Sequence, residues 1–226
     1  VMVSSAGDTA VSAVGLIDTI NNMFIQIFTA IATGATVIVA QLSGRKDEAG
    51  VRRTVGQSTA LMGLVMATIG LAVVLFKAPV FDLLYPKVET AVRENALSYF
   101  MLTGASYPFF GLMIILTGLF RGSGNTRLPM YLSLLVNLIN IALNAVFIFA
   151  CDMGAAGAAL ATLIARIVGA VLMLAASVRK YGRGAFTLKN MRFTGGILLV
   201  THDRYFLERI ADRTLEVSFG KLYVYE

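Results

Sequence analysis

Five long apolar stretches constrain this chain more than any other feature of its sequence. A helix of about 20 apolar residues can cross the hydrocarbon core of a bilayer, and each stretch reaches that length. The composition agrees, because 57% of the residues are hydrophobic and 14% are charged, whereas soluble domains carry roughly 25% charge. The sequence therefore predicts an all-α polytopic membrane protein. The predicted spans are residues 14–42, 54–76, 95–119, 129–149 and 155–178.

Two of these stretches carry polar residues along one side. At about 100° per residue, six polar side chains of the first stretch fall within about 80°, and four of the fourth stretch fall within about 60°. The first stripe is Asp18, Asn22, Gln26, Thr29, Thr33 and Thr36, and the second is Ser133, Asn137, Asn140 and Asn144. Polar groups in a membrane are costly unless they meet partners or line a wet cavity. The stripes therefore predict a transport cavity or ion pathway. Its candidate residues are Asp18, Asn22, Gln26, Thr33, Asn137, Asn140 and Asn144.

Each candidate also has a structural interpretation. Asp18 could contact an ion or a cationic ligand, or it could be solvated or locally paired near the outer end of its helix. The asparagines could contact substrate, or they could only bridge neighbouring helices. Arg166 lies in the middle of the last stretch. There a structural bond to carbonyls or to a polar partner on a neighbouring helix is favoured over a role in the pathway.

Small residues recur at helical spacing in two stretches. A glycine appears every seven residues in the second stretch, and small residues appear every four in the last. Small residues so placed let helices approach closely, so the spacing predicts two packing faces. The residues are Gly56, Gly63 and Gly70 in the second stretch, and Gly157, Ala161, Ala165 and Gly169 in the last.

Basic residues are unevenly divided between the two ends of the spans. Loops 43–53, 121–127 and 179–192 carry eleven Lys and Arg, and the opposite side carries three. Cytoplasmic loops are enriched in Lys and Arg. We therefore expect a multi-pass protein of the cytoplasmic membrane with residues 179–226 in the cytoplasm. The net charge of +6 is explained by this topology, and no nucleic-acid partner is expected.

The character of the sequence changes at about residue 194. The apolar run from Ile197 to Val200 is too short to cross a bilayer, and the residues after it are polar and charged. The sequence thus predicts a transmembrane lobe at 1–193 and a small soluble β-α-β piece at 194–226. A lone unit of that size cannot bury a core of its own. Its predicted elements are a strand at 196–201, a helix at 204–212 and a hairpin at 214–225 that turns at Gly220 and Lys221.

Five segments of the first 192 residues, taken together, are specific to one family. They are Gly7–Leu16 (GDTAVSAVGL), Ala32–Gly44 (ATGATVIVAQLSG), Arg121–Met130 (RGSGNTRLPM), Asn137–Asn144 (NLINIALN) and Gly154–Thr162 (GAAGAALAT). On these segments, residues 8–192 resemble the amino-terminal half of a multidrug and toxic compound extrusion (MATE) transporter. The resemblance implies that the five spans correspond to helices two to six of twelve, with helix one and the second six-helix lobe absent.

The resemblance also implies a function. Members of that family export cationic and amphipathic compounds in exchange for protons or sodium, by rocking two lobes about a central cavity. We therefore expect secondary active efflux, small amphipathic or cationic substrates, no bound cofactor and H⁺ or Na⁺ as the coupling ion. This chain would be incomplete without the missing second lobe. Many relatives have an acidic residue at the position of Asn144, in an Asn-x-x-x-Asp pattern that begins at Asn140; an amide cannot exchange a proton.

The tail resembles a different family. Leu198–Leu207 (LLVTHDRYFL) and Gly220–Tyr225 (GKLYVY) are similar to the carboxy-terminal part of an F-subfamily ATP-binding cassette (ABC-F) ATPase. In such ATPases the His of this motif senses the γ-phosphate, so His202 and Asp203 would be a remnant switch motif. The sequence contains no Gly-x4-Gly-Lys-Ser/Thr loop to hold phosphates, and no enzyme activity is expected. The alternatives to a transporter lobe are an ABC-F-type ATP-binding piece or an inactive fused product.

Overall fold

The computed structural model describes residues 8–151, 153–187, 190, 214–218 and 221–225. The chain divides into two compact units, Val1–Phe193 and Thr194–Glu226. The described part of the first unit is helical. Its elements are α1 (Asp8–Gly44), α2 (Glu48–Leu84), α3 (Thr90–Ala105), α4 (Tyr107–Gly122), α5 (Arg127–Ala145) and α6 (Gly154–Tyr181), with a π-helical turn at Val146–Ala150 and a 3-10 turn at Arg183–Phe186.

The helices confirm an all-α membrane lobe with about five spans. Four of them are long and apolar enough to cross a membrane, namely α1, α2, α5 with its π-helical turn, and α6, and the bent pair α3–α4 makes a fifth if it counts as one span. Several helices begin earlier than predicted. The start of α2 shows why, because Asp47 precedes it and accepts a hydrogen bond from the backbone N–H of Gly50 at 2.9 Å. A polar residue that precedes an apolar stretch can thus cap a helix that begins before the stretch does.

Proline explains the breaks within two spans. The α3–α4 pair bends by 46° at Ser106, two residues before Pro108, where the sequence predicts a kink. Because proline lacks an N–H and its ring displaces the carbonyl four residues earlier, the break falls on the amino-terminal side. The same effect accounts for Phe76, which has non-helical angles three residues before Pro79. The sequence also predicts a short interfacial helix after Pro86. In the structure the helix that follows Pro86 is α3, which begins at Thr90 and continues into the span.

The bent span α3–α4 lies at the centre of the unit. Both of its halves pack against α1, α2 and α6, whereas α5 packs mainly against α6. Helix α5 accordingly buries little, with Pro129 and Val136 as its buried residues. The largest fully buried side chains come from the other helices. They include Ile17, Phe28, Met62, Met66, Phe81, Phe100, Ile115, Leu116, Leu119, Phe120 and Met173.

The predicted glycine face of α2 is partly wrong. A Cβ added to Gly70 would lie 2.8 Å from the carbonyl oxygen of Gly104 on α3, so that glycine is needed for close approach. Gly56 likewise faces the backbone of Ala185. Gly63 has nothing within 4 Å of an added Cβ. A spacing of seven drifts by about 20° per repeat around a straight helix, and kinks and neighbours decide which glycines meet a partner.

The basic loops lie at one end of the helical unit. The end of α6 meets the end of α4 there: the Tyr181 hydroxyl donates to the carbonyl of Leu119 at 3.1 Å and lies 2.8 Å from the hydroxyl of Ser123. The turn between α4 and α5 reverses at Gly124, whose φ of +80° favours glycine. Asn125 then accepts a hydrogen bond from the N–H of Leu128 at 3.2 Å and fixes the start of α5.

The described part of the second unit is a β-hairpin. Strand β1 (Thr214–Ser218) pairs antiparallel with β2 (Lys221–Tyr225), with Thr214 opposite Tyr225 and Ser218 opposite Lys221. The hairpin lies where the sequence predicts it, although Lys221 belongs to the second strand and not to the turn. The predicted strand at 196–201 and helix at 204–212 lie outside the described residues, as do His202 and Asp203.

Candidate functional site

An open cavity of about 410 Å³ lies between α1, α4 and the start of α5. Its volume falls in the range of about 300–1,000 Å³ that small-molecule sites occupy. Its wall contains both hydroxyl groups and apolar side chains. The wall residues are Thr29, Ala32, Thr33 and Thr36 from α1, Phe110, Met113, Ile114, Thr117, Gly118 and Arg121 from α4, and Ser133 from α5.

The threonines of α1 share one face of the helix and one bonding pattern. Each hydroxyl donates to the carbonyl four residues earlier: Thr29 to Ile25 at 2.7 Å, Thr33 to Thr29 at 2.8 Å, and Thr36 to Ala32 at 2.7 Å. These bonds satisfy the O–H groups without help from another helix. The hydroxyl oxygens keep free lone pairs, so the α1 wall offers hydrogen-bond acceptors to the cavity.

Two glycines of α4 set the width of the cavity. A Cβ added to Gly122 would lie 2.6 Å from the carbonyl oxygen of Thr36, and one added to Gly118 would meet the Thr36 hydroxyl and lie 3.2 Å from the carbonyl oxygen of Ala32. Helix α4 therefore rests against α1 only because these residues lack side chains. The small-x-x-x-small spacing of Gly118 and Gly122 is a known signal for such contacts, and it could have been found in the sequence.

Arg121 is the charged residue of the cavity wall. It ends α4 at the same end of the unit as the other basic loops and is exposed. The ion pairs found among the described residues are Arg52–Glu48 and Arg93–Asp82, so Arg121 has no carboxylate partner within that part of the chain. The cavity thus carries a positive charge at its basic end.

A second group of polar side chains surrounds the α3–α4 bend. We call it the polar junction; its members are Asp18, Asn21, Tyr99, Ser106, Tyr107 and Arg166. The Tyr99 hydroxyl donates to the Asp18 carboxylate at 3.3 Å, and the Asn21 amide donates to the same oxygen at 3.4 Å. The Tyr107 hydroxyl donates to Asn21 Oδ1 at 2.5 Å. These bonds tie α1 to both halves of the bent span.

Arg166 completes the polar junction from α6. Its guanidinium donates to the hydroxyl of Ser106 at 2.5 Å and lies 4.3 Å from the ring centroid of Phe110. Ser106 is fully buried and is the residue at which the span bends. Phe110 is also part of the cavity wall. Arg166 therefore has a polar partner on a neighbouring helix and supports one side of the cavity from behind.

The asparagines of α5 face α6. Asn140 donates to the Thr162 hydroxyl at 3.4 Å, and Asn144 donates to Asn140 Oδ1 at 3.0 Å. Thr162 in turn donates to the carbonyl of Ala158 at 2.9 Å. The side-chain oxygen Oδ1 of Asn144 is buried and has no hydrogen-bond partner among the described residues. This geometry supports the helix-bridging interpretation of the asparagines.

The structure divides the predicted pathway among several places. Thr33 lies in the cavity wall, Asp18 belongs to the polar junction, and Asn140 and Asn144 bridge α5 and α6. The remaining candidates are exposed on the surface of the described chain; they are Asn22, Gln26 and Asn137. The wall residues Phe110 and Arg121 were not among the candidates, because an apolar ring and a loop arginine give no polar stripe.

A helical lobe of apolar spans, with a cavity whose wall combines apolar side chains and hydroxyl groups, defines a multi-pass membrane protein. Residues 1–146 match the sequence model of the MatE family, and the chain belongs to that family. It is 31% identical over 174 residues to the "Probable multidrug resistance protein NorM" of Thermotoga maritima, covering 73% of this chain and 36% of the relative. It is 28% identical over 177 residues to the "Uncharacterized transporter YisQ" of Bacillus subtilis, covering 76% and 38%.

Solved structures show the same fold. The chain aligns with an inward-facing multidrug resistance MATE family transporter at a TM-score of 0.77 and 24% identity, over 85% of this chain and 44% of that one. An outward-facing structure gives a TM-score of 0.76, 23% identity, and coverage of 85% and 43%. The chain thus spans well under half the length of the proteins it matches. A stretch of 35 residues, 16% of this chain, is 49% identical to the "Uncharacterized ABC transporter ATP-binding protein YfmR" of Bacillus subtilis, of which it covers 6%.

Proposed function

We propose that residues 8–187 form one lobe of a secondary active efflux transporter for small amphipathic compounds. The observation that supports this most directly is the cavity between α1, α4 and α5, in which hydroxyl groups and apolar side chains share one wall. Transporters of this kind bind substrate between structural repeats and move it by alternating access. Transport then requires a second lobe in addition to these residues.

We assign Asp18 as the ion-coupling group of this lobe. It lies ten residues inside α1 and is held by the hydroxyl of Tyr99 and the amide of Asn21. A carboxylate inside a span is costly and usually functional. Asn144 stands where many relatives carry an acid, and its amide cannot release a proton. Coupling to H⁺ or Na⁺ is therefore proposed for Asp18 and for groups of the second lobe.

Efflux measurements test the transport proposal. Cells that express these 226 residues alone should show no efflux above background, because one lobe cannot alternate access. A full-length transporter that contains these residues with a second lobe should export an amphipathic dye. In that protein Asp18→Asn should weaken the dependence of efflux on the ion gradient, whereas Asp8→Asn, at the exposed start of α1, should preserve it. Efflux by the 226-residue chain alone would contradict the proposal.

We further propose that the protein lies in the cytoplasmic membrane with its basic loops inside. Cys151, the single cysteine, is exposed in the turn between α5 and α6, on the other side from those loops. A membrane-impermeant maleimide added to intact cells should therefore label it. In the matched variant, Cys151→Ser with Arg45→Cys, the cysteine lies in the basic loop after α1 and should be labelled only after the cells are opened.

We propose a separate origin for residues 194–226. The 35-residue similarity to an ABC transporter ATP-binding protein supports the view that this piece is related to the end of an ABC-F domain, joined to the lobe near residues 193–196. No ATPase function is proposed for it. Re-sequencing the coding region across codons 185–200 tests the join, and an uninterrupted parent reading frame for either half would identify the chain as a fused product.

A further inference from the structure

We propose that the cavity selects amphiphiles that carry a negatively charged head group, with the head at Arg121 and the apolar part against Phe110, Met113 and Ile114. This proposal rests on the proposed function, since it names the substrate class of the same cavity. It departs from the expectation of cationic substrates that the family resemblance gives. Three properties of the wall support it: its charge, its hydrogen-bonding groups and the position of its apolar face.

The charge around the cavity is positive. Arg121 lines the wall, and no described carboxylate does. The carboxylate of Asp18 belongs to a residue eleven positions before Thr29, which places it about 16 Å further along α1, among the side chains of the polar junction. A second guanidinium, that of Arg166, lies 4.3 Å from the Phe110 ring but outside the wall, in the polar junction that also contains the Asp18 carboxylate. The charge of the wall itself is therefore that of Arg121. Arg121 has no ion-pair partner among the described residues.

The hydrogen-bonding groups of the wall also differ in whether they can donate to a ligand. The hydroxyl protons of Thr29, Thr33 and Thr36 are already donated to backbone carbonyls. These groups can accept from a ligand, but they do not offer a proton to an anion. A carboxylate or phosphate needs donors, and a guanidinium presents several in a geometry that matches either group. Arg121 is therefore the charged donor expected to fix the anionic head, and the hydroxyls of Thr117 and Ser133 belong to the same wall. The three threonines of α1 accept from polar N–H or O–H groups in the ligand body.

The apolar face determines the orientation of the ligand. Phe110, Met113 and Ile114 occupy positions i, i+3 and i+4 of α4 and share one side of the helix. Arg121 lies eleven residues beyond Phe110, about 16 Å along the axis. A molecule with one anionic end and an apolar chain can span that distance, with its head at the basic end of the lobe. Both an anionic lipid and a soluble amphipathic anion have this chemistry.

Photo-crosslinking in lipid nanodiscs tests the sign of the charge. The 226-residue chain is reconstituted in phosphatidylcholine and exposed to a fatty acid that carries a diazirine in its tail. A parallel sample receives the alkylamine with the same tail and diazirine. Peptides are then quantified by mass spectrometry. The carboxylate probe should label the peptide that contains Phe110, Met113 and Ile114 about fivefold more than the amine, which corresponds to the upper range of an exposed ion pair. Equal or stronger labelling by the amine would overturn the proposal.

Two loop arginines provide a matched comparison. Arg121→Gln should remove most of the preference for the carboxylate probe, whereas Arg127→Gln, which neutralises an exposed arginine outside the cavity wall, should preserve it. Arg121→Lys keeps the charge and should retain at least half of the labelling, which separates loss of charge from loss of folding. An equal loss in the Arg121→Gln and Arg127→Gln variants would contradict the proposal, because it would assign the effect to the general surface potential.

The lipid composition distinguishes the two sources of the ligand. If an anionic lipid occupies the cavity, replacing half of the phosphatidylcholine by phosphatidylglycerol should suppress labelling by the fatty acid, which supports the proposal with a lipid as occupant. Unchanged labelling supports it with a soluble amphipathic anion as occupant. Labelling does not require transport, so the labelling experiment and the efflux measurement test the two proposals independently. Selective labelling without efflux by the full-length protein would contradict only the transport proposal, and efflux with amine-selective labelling would contradict only this one.

Discussion

The polar junction and the cavity wall contain similar side chains that bond in opposite ways. In the polar junction, the hydroxyls of Tyr99 and Tyr107 and the guanidinium of Arg166 reach across to other helices. In the cavity wall, the hydroxyls of Thr29, Thr33 and Thr36 bond within their own helix. The first pattern holds helices together. The second satisfies each group locally and leaves the wall free to meet a ligand.

This difference shows that polarity in a membrane helix does not by itself identify a pathway. An amide or hydroxyl in a bilayer needs a partner, and the partner decides its role. Cross-helix bonds predict a loss of stability when the group is removed, whereas bonds within one helix predict little loss. Substitutions in the polar junction should therefore lower the free energy of unfolding more than substitutions of the cavity threonines. The expected losses are given from the largest to the smallest.

The largest effect is expected for Arg166→Met. The substitution removes the charged hydrogen bond to Ser106 and the contact with the Phe110 ring. Hydrogen bonds to charged groups contribute about 1.5–3 kcal/mol, so unfolding by sodium dodecyl sulfate in mixed micelles should show a loss of about 2–3 kcal/mol. Arg166→Lys keeps the charge and should lose less. A neutral outcome for Arg166→Met would mean that the bend at Ser106 does not depend on α6.

Gly118→Ala should have the next largest effect. Its added methyl group would collide with Thr36 and push α4 away from α1. Overpacking of this kind costs about 1–3 kcal/mol, and the same unfolding assay should detect it. Gly63→Ala is the matched control, because nothing lies within 4 Å of its Cβ position and alanine favours the helix. If the two variants lose equal stability, the close contact at the cavity is not required.

Tyr107→Phe should cost about 1 kcal/mol, the usual net value of one hydrogen bond. The change deletes the bond to Asn21 Oδ1 while keeping the ring contacts with Phe24 and Phe28. Tyr131→Phe is the control, since the Tyr131 side chain is exposed on α5, and its free energy of unfolding should not change. An unchanged stability for Tyr107→Phe would show that the polar junction can find another donor for Asn21.

The bridge between α5 and α6 should be weaker still. A double-mutant cycle with Asn140→Ala and Thr162→Ala should give a coupling energy of about 0.6 kcal/mol, the average for hydrogen bonds between membrane helices. The bond is long, at 3.4 Å, which agrees with a small value. A coupling indistinguishable from zero would remove the structural explanation of Asn140, and its role would then be sought in the pathway.

The sequence was sufficient to predict the helical lobe but not the arrangement of its polar groups. Hydropathy locates the spans because every backbone polar group in a bilayer must be satisfied within a helix. The bend near Pro108 was likewise predictable, since proline acts locally. The hairpin at 214–225 followed from short-range alternation.

The cavity could not be predicted from stripes alone. A helical stripe fixes which residues share a side but not which neighbour that side meets. The stripe of α5 therefore points Asn140 at Thr162 on α6, whereas Ser133, one end of the same stripe, lies in the cavity wall. Arg121 and Phe110 enter the wall through the packing of α4 against α1. That packing depends on Gly118 and Gly122, which lie eight or more residues away in sequence from Phe110.

The smallest effect on stability is expected for Thr33→Val in the cavity wall. Its hydroxyl donates to the carbonyl of Thr29 in the same helix, and valine has nearly the same shape, so the free energy of unfolding should change by no more than about 0.5 kcal/mol. Ser106→Ala, in the polar junction, removes a hydroxyl of similar size and should cost more, because it leaves Arg166 without its partner. The unfolding assay used for Arg166→Met measures both variants. If Thr33→Val proved as costly as Ser106→Ala, the cavity threonines would be structural, and bonding within one helix would no longer distinguish a ligand-facing wall from a packed one.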